Sequence, residues 1–302
     1  REFIRCFGTS DFDAVIDYSG YGSFYSILLL SAKNAKKLIW QHNDLLTDKN
    51  KIVNHKKPHS RELMVVFSTY QFYDKIVGCS EATMKVNLEK IGYSELKDKC
   101  CFVRNAANFE RVINGSKESY TAESANEAGF PDLLNKDLIS FVNMGRLSPE
   151  KNQAALIKAF AKAYDANKNL RLYIIGDGAL MGELKDLVHS LNLDGKVILT
   201  GNLDNPFMLM KDCSCFILPS LHEGQPVSLL EARLLKLPII MSNFSSAASS
   251  LFDNGQLVIG NSVDDIYNGL IAFINNEVPT CEFEYADYNN ITIKQFEDII
   301  NE

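Results

Sequence analysis

No apolar run in the 302-residue sequence approaches the roughly 20 residues needed to cross a bilayer. Ile27 to Leu30, the longest such stretch near the start, is far too short for a signal segment. A surplus of positive charge is also missing: 31 Lys and Arg face 38 Asp and Glu, a net charge of −7. That balance argues against nucleic acid as a partner, because its footprint would be a basic face. The seven cysteines are odd in number and form no Cys-x-x-Cys pair, which argues against a zinc site or a disulfide framework. Cys213 and Cys215 read as core packing, and a reducing cytoplasm is the natural compartment. Internal repeats and low-complexity tracts are absent. The chain begins at Arg1 without a methionine and runs quickly toward a strand, so further residues are expected to precede it.

What is present is an ordinary globular composition, 46% hydrophobic and 23% charged, enough for two cores. Short apolar runs alternate with helical stretches, as buried parallel strands and their crossovers do. In the first part, strands are expected at 12–17, 37–40, 75–78 and 99–103. Ser23 is expected to open a helix reaching about Ala35. Ser80 and Gly92 bracket another helix as N-cap and C-cap. Residues 45–62 read as a helix or a mobile loop, with Lys56, Lys57, His59 and Arg61 as a cationic cluster. Residues 114–135 have no periodic hydrophobics and read as linker or surface loop. A second alternating block follows, with strands at 138–142, 170–175, 197–200, 215–219 and 237–241. The expected architecture is α/β, with two Rossmann-like doubly wound parallel-sheet domains. The first (1–113) is expected to be truncated at its N-terminus, the second spans 114–285, and a helix within 286–302 is expected to pack back on the first.

The chemistry concentrates where strands of the second block end. Gly145-Arg-Leu-Ser-Pro-Glu-Lys151 follows the first of them. Gly145 permits close backbone approach, and Arg146 and Lys151 offer a planar fork and a point charge, a pair suited to a diphosphate. Gly176-Asp-Gly178 lacks the third glycine of a dinucleotide fingerprint, so nicotinamide chemistry is not inferred. Gly201 ends the next strand, where exposed backbone could edge a nucleobase. In Ser220–Asn243, a turn carries Glu223-Gly224-Gln225-Pro226 and the following helix carries Glu231. A carboxylate at each place can accept from sugar hydroxyls, and the helix start between them suits an anion.

The ordered set GRLSPEKN, GDG, LTG and EGQPVSLLE resembles the donor domain of family-4 retaining nucleotide-sugar glycosyltransferases of the GT-B fold, over roughly residues 138–243. The resemblance implies that Arg146 and Lys151 bind the donor diphosphate and Glu231 holds the ribose. It further implies that Glu223 contacts the transferred sugar, and that backbone amides of Gly224, Gln225 and Val227 contact sugar and phosphate. Trp40-Gln41-His42 is similar to the family's strand-end histidine facing the donor sugar, and Ser80 to the serine opening the helix after the last core strand. Two departures stand out: no glycine-rich loop precedes residue 11, and Phe244-Ser-Ser-Ala-Ala-Ser-Ser250 replaces the family's glycines and acidic residue. The implied activity is retaining transfer of a hexosyl or similar sugar to a glycan, lipid-linked or polymer acceptor in glycan or cell-envelope synthesis. Metal independence and the absence of a cofactor are expected, with Arg146 and Lys151 doing the work of a metal. The protein is expected in the cytoplasm or at the inner face of the membrane, in weak peripheral contact through the cationic cluster. Two alternatives remain: a GT-B nucleotide-sugar epimerase, and a non-catalytic nucleotide-sugar-binding partner of another transferase.

Overall fold

The computed structural model describes residues 2–51, 56–244, 255–280 and 283–302. The chain divides into two compact units. One comprises residues 1–106, 223–225 and 286–302, the other 107–222 and 226–285. This differs from the division expected at 113/114. Three residues of the Glu223 turn group with the first unit although the chain on either side of them belongs to the second.

The first unit contains α1 (Glu2–Phe7), β1 (Ala14–Asp17), α2 (Ser23–Leu29), β2 (Lys36–Gln41), α3 (Leu45–Asn50), α4 (Ser60–Thr69), β3 (Lys75–Gly78), α5 (Glu81–Ile91) and β4 (Cys100–Phe102). Its strands form a parallel sheet in the order β1-β2-β3-β4. Successive residues point to opposite faces: Ile39 and Ile76 pack with Leu63, Val66 and Tyr70 on one side, and Leu38, Trp40 and Val77 with Val103 and Ile299 on the other. Ile299 lies on the last helix of the chain (Tyr288–Asn301), which the Lys36 ammonium also holds by donating to the Ile299 carbonyl at 2.6 Å.

Local signals were obeyed where a side chain closes the helix. The Ser80 hydroxyl accepts from the Thr83 amide at 3.1 Å, and Gly92 ends α5 in the left-handed region at φ 81°. Other expectations need correction. A six-residue helix, α1, precedes the first strand. Ser23 opens α2 as expected, with its neighbour Gly22 in the cap position and no side-chain cap bond. The Glu62 carboxylate of α4 accepts instead from the Ser23 amide and hydroxyl, at 3.0 and 2.5 Å. That helix stops at Leu29, short of Ala35. Within 45–62 lie α3 and the start of α4, which runs on to Thr69 because Leu63, Val66 and Phe67 recur on its buried face.

The second unit contains α6 (Phe109–Lys117), α7 (Ala122–Glu127), β5 (Ile139–Met144), α8 (Gln153–Ala166), β6 (Leu170–Ile175), α9 (Met181–Ser190), β7 (Val197–Gly201), α10 (Pro206–Met210), β8 (Cys215–Leu218), α11 (Val227–Leu234), β9 (Ile239–Ser242), β10 (Leu257–Ile259) and α12 (Val263–Ile274); the last helix of the chain is α13. Its sheet is parallel throughout, in the order β10-β9-β8-β5-β6-β7. The segment expected to be a linker is part of this unit. It holds the end of α6 and all of α7, and buries Phe130 and Leu133, with the Phe130 ring 5.9 Å from that of Tyr173. Cys213 and Cys215 are buried in the core as expected. The serine run at 245–250 and Cys281 lie outside the described residues.

Candidate functional site

In the second sheet the strand order turns back between β5 and β8, which pair directly. At such a switch point the loops diverge to opposite faces and leave a crevice at the carboxyl ends of the strands. The loop after β5 carries Gly145, Arg146 and Lys151. It is pinned from below by the turn after β6. The Leu147 amide donates to the Asp177 carbonyl at 2.9 Å, and the Leu180 amide to the Leu147 carbonyl at 3.2 Å. A β-carbon on Gly176 would stand 2.2 Å from the Gly145 oxygen, and one on Gly178 would stand 2.3 Å from the Leu147 oxygen. Gly176 is moreover at φ +131°, where L side chains are strained. Gly176-Asp-Gly178 is thus the seat of the Arg146 loop rather than a mere tight connection. From above, buried Gln153 donates to the Arg146 carbonyl at 3.0 Å. The Lys151 side chain lies along Gly145, its δ and ε carbons 3.5 Å from where a β-carbon would be.

Arg146 and Gly145 line a cavity of about 460 Å³ whose opposite wall includes Glu231 on α11. Glu231 is half-buried, and burial raises its carboxyl above the ordinary range while the charge of Arg111 pulls it back down. Arg111 also lines this cavity and was not anticipated from the sequence. Its signal was the Asn108 cap ahead of Phe109 and Val112, two apolar residues at helical spacing; the Asn108 side chain accepts from the Arg111 amide at 2.9 Å. At the end of β7 the wall is Asn202 and Leu203, one and two residues beyond the expected Gly201. The Gly201 carbonyl accepts from the Gly176 amide at 2.9 Å, so that residue joins strand ends. Val227 opens α11, directly after Pro226, with no side-chain cap.

The remaining expected residues belong to the first unit. His42 follows β2. Its Nε2 is 2.5 Å from the Tyr18 carbonyl oxygen, which can only accept, so Nε2 is the donor. The Tyr18 ring lies 4.7 Å from the imidazole. Gly224 fits against the His42 carbonyl and the Cys79 thiol, and its own carbonyl accepts from Ser80 at 3.3 Å. Gln225 is 5% exposed and fully engaged: its oxygen accepts from the Asn105 amide at 2.6 Å and its nitrogen donates to the Tyr288 hydroxyl. Glu223 and Glu231 therefore fall in different units, with Glu223 grouping with His42 and Glu231 with Arg146. Asp11 and Asp13 have the spacing of a metal-binding pair, but they precede β1 and so stand at the amino end of the first sheet, opposite the ligand-binding end.

Residues 126–290, more than half of the chain, match the family described as Glycosyl transferases group 1. The chain belongs to that family. An uncharacterized glycosyltransferase of Methanocaldococcus jannaschii is 28% identical over 259 residues, covering 85% of this chain and 60% of that protein. A Campylobacter jejuni relative is 30% identical over 198 residues, 64% of this chain and 50% of its own. Its name is N-acetylgalactosamine-N,N'-diacetylbacillosaminyl-diphospho-undecaprenol 4-alpha-N-acetylgalactosaminyltransferase. The chain thus spans three fifths or less of the length of these two relatives. Among solved structures, Anabaena HepE in complex with UDP and glucose superposes with a TM-score of 0.72 at 15% identity, over 99% of this chain and 78% of that one. At that identity the likeness speaks for the fold, and the fold of this group 1 member is GT-B with two Rossmann-like units. No helix among the described residues is long and apolar enough to cross a membrane.

Proposed function

We propose that this protein is a retaining glycosyltransferase that takes its sugar from a nucleotide-diphosphate-sugar donor. The observation that carries the reading is the cavity at the carboxyl ends of β5, β6 and β7, where Arg146 on the β5 loop and Glu231 on α11 line the same space. Arg146, with Lys151 beside Gly145, stabilises the negative charge that grows on the leaving diphosphate as the bond to the sugar lengthens. No metal is required for that role. Glu231 accepts hydrogen bonds from the vicinal ribose hydroxyls. Glu223 and the amides of Gly224, Gln225 and Val227 contact the sugar and distal phosphate, and His42 presents its ring to the sugar. The acceptor hydroxyl enters on the face from which the diphosphate leaves, which retains the anomeric configuration.

The acceptor class follows the relatives: the Campylobacter protein is named for a diphospho-undecaprenol substrate, and a lipid-linked or polymer glycan at the cytoplasmic face of a membrane is the acceptor proposed here. The exposed Lys56, Lys57 and Arg61 supply a cationic contact for such a surface.

A thermal-shift screen with UDP, GDP, ADP and CDP tests the donor site directly. A ligand at a hundredfold its Kd stabilises the folded state by about 2.7 kcal/mol. One of the four should raise the melting point, and Arg146→Ala and Glu231→Ala should each remove that rise while leaving a folded protein. No shift with any nucleotide would end the proposal. Incubation with the matching sugar nucleotide and a lipid-linked acceptor should then yield free nucleotide diphosphate and a new glycoside in equal amounts. Release of an altered sugar with no glycoside would indicate epimerisation, and binding without turnover a non-catalytic partner.

A further inference from the structure

Helix α6 lies outside every strand-end loop of the second sheet, yet it is clamped to the sheet's ligand-binding end by an unusual number of polar ties. The Asn205 side chain donates to the Gly115 carbonyl at 2.9 Å. The Lys211 ammonium donates to the Ser116 carbonyl at 2.7 Å, the Glu118 carbonyl at 2.5 Å and the Ser119 hydroxyl at 2.8 Å, at and just beyond the end of α6. Gly115 is the contact point: a β-carbon there would meet the Asn205 oxygen at 2.6 Å and the Phe207 ring at 2.8 Å. Phe207 is buried, so the helix has a fixed floor.

That clamp determines where Arg111 sits. Its guanidinium lies 5.5 Å from the centre of the Phe207 ring, and its Nη2 donates to the Asp204 carbonyl at 3.2 Å. Ring face and carbonyl together hold a flexible side chain in one place. From there it faces the cavity that Glu231 lines on α11, a helix against which α6 also packs. Other charged groups face the same space. Arg146 comes from the β5 loop, and Asp177 comes from the turn after β6, where its carboxylate also accepts from the Gly178 amide at 2.7 Å. On α11 itself the Arg233 guanidinium is turned away, donating to the Gly255 carbonyl at 2.7 Å and to Gln256. Arg111 is the cation whose field acts on Glu231.

We propose that Arg111 is a positioning residue for the donor nucleotide: held by Asp204 and Phe207 at the wall of the cavity that Glu231 also lines, its positive charge keeps the Glu231 carboxylate available as the acceptor for the ribose hydroxyls. Burial and the Arg111 charge act on Glu231 in opposite senses. Burial favours its neutral form, and a protonated carboxyl is a poorer acceptor than a carboxylate. The proposal rests on the reading of Glu231 as the ribose ligand, and its test separates the two.

The carboxyl carbon of Glu231 is followed by NMR through a pH titration of the ligand-free full-length protein, in the native form, in Arg111→Gln and in Arg111→Lys. UDP affinity is measured calorimetrically on the same three proteins from about pH 5 to pH 8, upward from the ordinary carboxyl range. Arg111→Gln should move the Glu231 midpoint upward and weaken UDP binding about tenfold at the low end of that range. The deficit should shrink as the pH rises and the carboxylate re-forms. Arg111→Lys, which keeps the charge, should restore both. An unmoved Glu231 midpoint in Arg111→Gln overturns the proposal, as does a binding loss that is flat with pH and not restored by lysine. If the midpoint moves but the native protein binds no UDP or other nucleoside diphosphate, the ribose reading fails and the proposal fails with it. If the native protein binds UDP and the midpoint does not move, the ribose reading stands and only the role of Arg111 is lost.

Discussion

Gly224 is packed against the carbonyl of His42 so closely that a β-carbon on it would stand 1.8 Å from that oxygen. The same β-carbon would lie 2.7 Å from the Cys79 sulfur. Neither neighbour is the free end of a flexible chain, since one is backbone and the other is a buried thiol. The glycine of the Glu223 turn is therefore a steric requirement of the strand end that carries His42, independent of any bound sugar.

Gly224→Ala should then destabilise the protein by about 1–3 kcal/mol, the usual cost of overpacking a filled site. It should also shift the imidazole resonances of His42. Denaturant unfolding and proton NMR check this; an unchanged midpoint with unchanged His42 resonances would show that the turn relaxes freely.

The seat of the Arg146 loop gives a second expectation. Gly178→Ala drives a methyl into the Leu147 backbone, 2.3 Å from its oxygen and 2.8 Å from its nitrogen. The loop must shift, and nucleotide diphosphate affinity should fall about tenfold or more, because misplacing a binding group by an ångström is costly. Gly182, on α9, is the control. A β-carbon there meets nothing within 4 Å, so Gly182→Ala should stabilise the helix by about 0.5–1 kcal/mol and leave affinity unchanged. Isothermal calorimetry beside thermal unfolding distinguishes the two sites.

The half-buried Glu231 makes stability depend on pH. Burial raises its carboxyl above the ordinary 4.5, with Arg111 opposing. The folded state therefore prefers the neutral acid. Ionisation costs stability as the pH rises above 4.5, and the cost is complete beyond the folded-state value. Glutamine is neutral at every pH. Glu231→Gln should melt higher than the native protein near neutrality, and the gain should vanish as the pH falls to 4.5 and below, while nucleotide binding weakens throughout. A melting difference that does not vary with pH would contradict this.

The strands were legible because parallel strands covered on both faces are written as short apolar runs, Leu170–Ile175 and Cys215–Leu218 among them. Helix α5 was legible because Ser80 and Gly92 act locally. Helix α6 was missed because only Phe109 and Val112 mark its buried face; the rest of its hold on the sheet is polar and comes from Asn205 and Lys211, some ninety residues away. The same distance hid Arg111. Arg146 stood out as a charge at a strand end and Glu231 as a carboxylate on the helix after another, whereas the reason for Gly176 and Gly178 appears only when the Gly145–Leu147 backbone is seen lying on them.

Arg111 also lies upstream of residues 126–290, the stretch shared with the family at large. Replacing Arg111 alone changes the electric field at Glu231, while the ties of Asn205 and Lys211 to α6 are made by other residues. In this chain, then, the cation whose charge bears on Glu231 from α6 stands outside the matched stretch, on a helix tied down by Asn205 and Lys211.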